Sequence, residues 1–215
     1  LEHAVTIDPD FVEAHFELGN SLTEIGEFTN AAESYKKAIA LRPNFASAYS
    51  NMGNCHRQTG KPDEALSNYL QALAIEPGLT QAKANLGELL RHSKFAASCS
   101  QGYEVIADLL SAGHIARPSE VAISIISLLR QDPAFDQVLV YSNSLNELSS
   151  IIDLIESLEP LKVLHCLMRL SPIPDLEIEN IMINARKTLL RNLAVLEESA
   201  SLERFFSTLA LHCLV

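Results

Sequence analysis

The residues best equipped for covalent or metal chemistry are two neighbouring pairs, His165-Cys166 and His212-Cys213, followed by the isolated Cys55 and Cys99. Imidazole beside thiol is the makeup of an activated nucleophile or of a soft-metal site. The spacing supports neither. Adjacent side chains on a helix point about 100° apart, no Cys-x-x-Cys occurs, and no third ligand stands at metal-site spacing. Both pairs therefore read as packing residues on apolar helices, as do His15 and His56. Without a disulfide framework the thiols read as reduced, and the expected location is cytoplasmic. No Gly-x-Gly-x-x-Gly or Walker-type loop is present. The expectation is no catalytic residue, no metal and no cofactor within these residues.

Charge narrows the partner class. The net charge is -11, nearly half of the 215 residues are apolar, and the acidic excess is spread over both halves of the sequence. A continuous core is within reach of such a chain. Nucleic acid and anionic membrane both demand clustered Lys and Arg, and no basic stripe exists, so neither is expected as a partner. No run approaches the ~20 apolar residues of a membrane span, and no basic-then-apolar leader opens the sequence.

Position, then, must come from the elements, and residues 1–112 carry a repeat with a step of 34. Pro9, Pro43 and Pro77 keep that step, each with an alanine five residues earlier, at Ala4, Ala38 and Ala72. Gly19, Gly53 and Gly87 keep it too, as do Leu18, Met52 and Leu86, then Tyr35, Tyr69 and Tyr103, then Ala31 and Ala65, then Gly26 and Gly60. This period and pattern resembles the tetratricopeptide repeat, a helix-turn-helix unit that stacks into a solenoid. The fold class expected is all-α, with repeats at 12–45, 46–79 and 80–113 preceded by half a repeat, so that the solenoid covers 1–112 and a helical region covers 113–215.

Within the first repeat, a helix is expected over Val12–Ile25, closed by Gly26 in the left-handed conformation. Gly19 and Ala31 are small where the two helices cross, Phe28, Tyr35 and Ala38 face the packing surface, and Pro43 stops the second helix. The second repeat follows the plan most closely, with Pro62 opening its second helix. The third departs from it: Lys94 stands for the turn glycine, Cys99 for the alanine and Ser111 for the proline. Because the sequence opens inside a repeat, further repeats are expected upstream of Leu1.

Beyond Gly113 the period is lost while helical spacing continues. Helices are expected over 118–131, with Val121, Ile125, Leu128 and Leu129 as the apolar stripe, and over 134–141 after the break at Asp132-Pro133. Others should start at Ser144, where Ser144 and Glu147 have capping-box spacing, and near Pro160, running to Leu170. After Ser171-Pro-Ile-Pro174, Asp175 caps a helix reaching Leu196, and Ser201–Val215 forms an amphipathic helix whose apolar end reads as a cut. The stretches SPIPDLEIENIMINARKTLLRNL and LERFFSTLALHCLV resemble the helical region that links repeats to a methyltransferase domain in some bacterial tetratricopeptide proteins. That resemblance implies a larger enzyme of which these residues are the recruiting part.

The tetratricopeptide resemblance also implies where a partner would touch. In that family the first helix of each unit lines the concave face, with contacts from its second, fifth, sixth, ninth, twelfth and thirteenth positions. These are Glu13, Phe16, Glu17, Asn20, Thr23 and Glu24 in the first repeat. In the second they are Ser47, Ser50, Asn51, Asn54, Arg57 and Gln58, and in the third Gln81, Ala84, Asn85, Glu88, Arg91 and His92. The groove expected to bind peptide comprises Glu13, Glu17, Asn20, Glu24, Asn51, Asn54, Arg57, Asn85, Glu88 and Arg91. Asn51 and Asn85 occupy the position of the asparagine ladder in the superhelix of O-GlcNAc transferase, while Asn20 and Asn54 share a second position. An amide carries donors and an acceptor, so a row of them can hold a peptide backbone without demanding one sequence. A carboxylate clamp is not expected: its lysines are missing, and Glu13, Glu17 and Glu24 repel an acidic tail. The function implied is capture of a protein or peptide, for an attached enzyme or as a free-standing scaffold.

Overall fold

The computed structural model describes residues 2–113, 117–142, 153, 157, 161–170 and 175–192. Among them every regular element is helical, and none is long and apolar enough to cross a membrane. Contacts divide the chain into two compact units, Leu1–Ser93 and Lys94–Val215.

The first unit is a run of helix pairs. A short helix α1 (Glu2–Ile7) precedes α2 (Val12–Glu24), α3 (Phe28–Leu41), α4 (Ala46–Gln58), α5 (Pro62–Ile75) and α6 (Thr80–His92). Each helix packs on the next from α1 to α6, and the first helices also meet one another, α2 on α4 and α4 on α6. The turns inside the pairs are set by backbone chemistry. Gly26 and Gly60 adopt φ of 83° and 72°, in the left-handed region that side-chain-bearing residues avoid. Each turn closes with two bonds back onto the helix: Glu27 N to Leu22 O at 2.8 Å and Gly26 N to Thr23 O at 3.1 Å, repeated as Lys61 N to His56 O and Gly60 N to Arg57 O. This is the Schellman arrangement, which satisfies carbonyls that the helix end would otherwise leave bare. Pro62 then starts α5 where no amide hydrogen is needed, with Asp63 and Glu64 beside the positive helix end.

The crossing within each pair depends on a glycine facing a tyrosine ring. A Cβ at Gly19 would lie 2.6 Å from Tyr35 Cε1, and one at Gly53 would lie 2.7 Å from Tyr69 Cε1. Both rings are essentially fully buried, as are Ala31, Ala38, Cys55, Ala65 and Ala72, and Tyr35 shares a core cluster with Ala31 and Cys55. Small residues thus let the helix axes approach until the rings fill the gap. Burial pushes the Cys55 thiol up, with Thr23 acting the other way, which suits an inert packing residue.

In the second unit the third repeat loses its regularity. After α6, residues 93–99 are irregular and a 3-10 turn over Ser100–Gly102 leads into α7 (Tyr103–Ala112). By the phase of Phe28 and Pro62 the second helix would begin near residue 96. Lys94 stands where Gly26 and Gly60 make their left-handed turns, and the residue after α6, Ser93, is extended instead. The helix consequently starts late, and it ends at Gly113, whose φ is 67°.

Four further helices are described: α8 (Pro118–Leu129), α9 (Pro133–Ser142), α10 (Lys162–Leu170) and α11 (Leu176–Asn192). They match the expected segments, with α8 ending two residues early and α10 beginning at Lys162 rather than near Pro160. Helix α10 packs on α7 and α8, and α11 packs on α9. Asp132 Oδ1 accepts Ala134 N at 2.9 Å at the start of α9. Asp175 Oδ1 accepts Glu177 N at 3.1 Å and Ile178 N at 3.2 Å, which makes it the N-cap of α11 as its sequence position implied. Arg130, at the end of α8, joins that cap to α8, reaching Asp175 at 2.7 Å and Glu177 at 2.9 Å. The helix expected from Ser144 with its Ser144/Glu147 box, the residues 193–196 and the segment Ser201–Val215 lie outside the described residues.

Candidate amide face on the first helices

Of the ten residues expected to form the groove, all lie in the first unit, on α2, α4 and α6. Their surroundings divide them into groups engaged within the protein, groups with buried atoms left without a partner, and exposed groups.

The first repeat is the most engaged. Arg42 forms an ion pair with Glu13 and holds its carboxyl below the usual range. The same guanidinium lies 5.1 Å from the centre of the Phe45 ring. Phe16 is half-buried between Phe45 and Tyr35, with ring centres 4.7 Å and 5.7 Å away. It therefore packs rather than reaching outward. Thr23 gives its hydroxyl hydrogen to Gly19 O at 2.8 Å and lies 3.7 Å from Cys55 Sγ, bridging α2 to α4. Glu17 takes a 3.3 Å bond from Asn20 Nδ2, and Glu24 is exposed.

Asparagine at the ninth position is built into the helix pair. Tyr35 donates its hydroxyl to Asn20 Oδ1 at 2.8 Å, and Tyr69 donates to Asn54 Oδ1 at 2.8 Å. A buried phenol must place its hydrogen somewhere, and the amide across the crossing receives it. Burial pushes both phenols up, opposed by Thr23 and Asn51 at Tyr35 and by Arg57 at Tyr69. The sixth position links one repeat to the next, since Asn51 Nδ2 donates to Asn20 Oδ1 at 3.1 Å. Asn85, its counterpart in the third repeat, accepts Gln81 Nε2 at 2.9 Å through Oδ1, while its Nδ2 is buried with no partner. Arg57 Nε is likewise buried without one.

In the third repeat the ninth position is acidic. Glu88 pairs with Arg91 at 3.1 Å and lies 3.2 Å from His92 Nε2. Position twenty-four of that repeat is Tyr103, in the second unit. There burial first and the carboxylate of Asp132 second push its phenol up, and because Glu88 replaces the asparagine the Asn–Tyr bond occurs in the first two repeats.

The tyrosine hydroxyls are the functional groups that position-by-position transfer overlooked. A signal for them existed: Asn20 and Tyr35 are separated by the same fifteen residues as Asn54 and Tyr69. His15 Nε2 donates to Pro9 O at 2.8 Å inside the packing, and burial lowers the proton affinity of His56. Cys166 Sγ sits 3.5 Å from Ala107 O; His212 and Cys213 lie outside the described residues. No group of three metal-ligating side chains occurs among the described residues.

Comparison with known proteins places the repeat. Residues 19–60 match the family model described as TPR repeat, and residues 46–79 match the model described as Tetratricopeptide repeat. No curated protein matches the sequence. Two solved structures with a loose overall likeness are titled as crystal structures of MamA. Both are 15% identical with a TM-score of 0.41; one covers 88% of this chain and 86% of its own, the other 93% and 84%. The helix pairs of residues 19–79, matched by period, turn chemistry and family model alike, are tetratricopeptide repeats.

Proposed function

We propose that the first helices of the repeats form a groove that binds an extended segment of a partner protein. The observation that carries this reading is the row of amides Asn20, Asn51, Asn54 and Asn85 on α2, α4 and α6, held in place by bonds within the protein. A preformed row lowers the ordering cost that binding would otherwise carry. Glu17 and Glu24 favour a basic or neutral partner at the first repeat, and Arg57 and Arg91 set a different character toward the third.

Display of random peptides against the whole chain supplies a ligand for the test. Asn51→Ala combined with Asn85→Ala should weaken the selected peptide about tenfold or more, two hydrogen bonds being worth roughly 0.5–1.5 kcal/mol each. Equal affinity would remove this face from the binding role. Asn51→Ala also deletes the bond to Asn20, so a loss of about 1 kcal/mol of stability is expected from it. Asn85→Ala removes the bond from exposed Gln81 together with a buried donor that has no partner, and the two offset to leave stability close to neutral.

The finer reading is that the groove recruits substrate to an attached enzyme, a methyltransferase before a glycosyltransferase, rather than serving a free-standing scaffold. Its support is the sequence resemblance of residues 171–193 and 202–215, of which 171–174, 193 and 202–215 lie outside the described residues. Retention of S-adenosylmethionine by the natural gene product supports the methyltransferase; a product that retains none favours the scaffold.

A further inference from the structure

Successive repeats meet at two junctions, α2 on α4 and α4 on α6, and the 34-residue step lets them be compared residue by residue. Two polar links cross the first. Asn51 Nδ2 donates to Asn20 Oδ1 at 3.1 Å, and Thr23 Oγ1 lies 3.7 Å from Cys55 Sγ. Asn20 Oδ1 accepts the Tyr35 hydroxyl as well, at 2.8 Å, so both of its lone pairs are used. The second junction carries the parts for one of these links and does not assemble them. Asn54, Tyr69 and Asn85 stand one step after Asn20, Tyr35 and Asn51. Asn54 Oδ1 takes the Tyr69 hydroxyl at 2.8 Å, which leaves a lone pair for a second donor, and Asn85 Nδ2 is a donor buried with no partner. What differs is the residue one turn earlier on α6. Gln81 replaces Ser47, and it holds the Asn85 carboxamide by its oxygen at 2.9 Å. The other link has no counterpart, because Arg57 and Leu89 stand where Thr23 and Cys55 stand one repeat earlier.

We infer that Gln81 is a latch on a hinge between the second and third repeats. The hinge has an open state with the Gln81 to Asn85 bond and a closed state in which Asn85 Nδ2 donates to Asn54 Oδ1, as Asn51 does to Asn20. An exposed bond between two side chains is worth little, whereas a buried donor without an acceptor is costly, so the open state is held by a small margin. Closing gives the donor an acceptor inside the protein. Two arrangements so nearly balanced can be exchanged by one substitution or one bound molecule. The junction of α2 with α4, where both links are made, has no such alternative. Every atom involved belongs to the first unit, so the hinge operates with or without a ligand in the groove.

Gln81→Met removes the donor while keeping the length and helix propensity of the side chain. Although it deletes a hydrogen bond, it should raise the urea midpoint of the first unit, measured in the whole chain. Amide hydrogen exchange in α6 should slow about threefold or more, with exchange in α2 unchanged. A double-mutant cycle of Asn54→Ala with Asn85→Ala, run in both backgrounds, reads the new bond directly. Coupling in the unfolding equilibrium constant should stay within about twofold in the parent chain and reach about three- to tenfold in Gln81→Met. A midpoint that falls or holds is what a Gln81 that merely adds a bond would give, and it overturns the inference. So does α6 exchange that fails to slow, or equal coupling in the two backgrounds. Asn54→Ala also strips the Tyr69 hydroxyl of its acceptor; should it not fold, the midpoint and exchange of Gln81→Met decide alone.

Discussion

At the scale of single residues, the crossing of each helix pair is a contact between one hydrogen-bearing Cα and one ring. Gly53 has two opposed claims on it. Replacing a mid-helix glycine with alanine gains about 1 kcal/mol of helix propensity. The new Cβ would stand 2.7 Å from Tyr69 Cε1 and 2.9 Å from Cδ1, and the ring is fully buried and tied by its hydroxyl to Asn54. It has no room to swing without breaking that bond, so the steric cost, roughly 1–3 kcal/mol, outweighs the gain. Gly53→Ala should lower stability by about 1 kcal/mol and Gly53→Leu by more. Urea denaturation checks this, and an unchanged midpoint for Gly53→Leu would mean that the ring is free to move. That a glycine lies where the helices cross was legible from the 34-residue step, though the sequence reading set Ala31 rather than the tyrosine ring opposite Gly19. The hydroxyl's bond was not, because family positions describe which way a residue faces and are silent on what lies fifteen residues later.

At the scale of elements, turn chemistry decides where helices stop and caps decide where they start. A Cβ added at Gly60 would meet nothing within 4 Å, so crowding plays no part, yet the backbone φ there is 72°. Gly60→Ala should therefore cost about 1–2 kcal/mol through backbone strain alone, and Gly60→Asn less. Thermal unfolding of the two variants checks the order, and equal stability of Gly60→Ala and the parent would mean that the turn relaxes. Lys94 at the matching place explains why the helix pairs were readable up to α6 while the start of α7 was not: the sequence step continues, but the residue able to make the left-handed turn is gone. The cap of α11 titrates. Burial alone would raise the Asp175 carboxyl, but Arg130 and the amides of Ile178 and Glu177 together hold it below its usual range. A carboxyl lowered in the folded state stabilises fully above its unfolded value of about 3.9, and the contribution disappears as pH falls through the folded value. Acid unfolding of the second unit should thus be less steep over that window in Asp175→Asn than in the parent chain; identical profiles would assign the acid sensitivity to other carboxyls.

At the scale of the whole molecule, charge acts before any contact forms. The chain carries -11 with acidic excess in both halves, and among the described residues no cation is paired with Glu17 or Glu24 at the first-repeat end of the amide row. Glu13 and Glu88, by contrast, are held by Arg42 and Arg91. A lysine-bearing peptide selected for the groove is drawn by this field over distances set by the Debye length, about 10 Å at 0.1 M salt and about 3 Å at 1 M. Its association rate should fall about tenfold or more across that range, as steered encounters do. A selected peptide without charged side chains is not steered by the field, so its rate should stay within about twofold. Stopped-flow measurement of both ligands separates the two contributions: a field that steers and a row of amides that holds. If salt slows both ligands equally, the amide face does not act independently of charge. If it slows neither, the acidic excess has no part in capture.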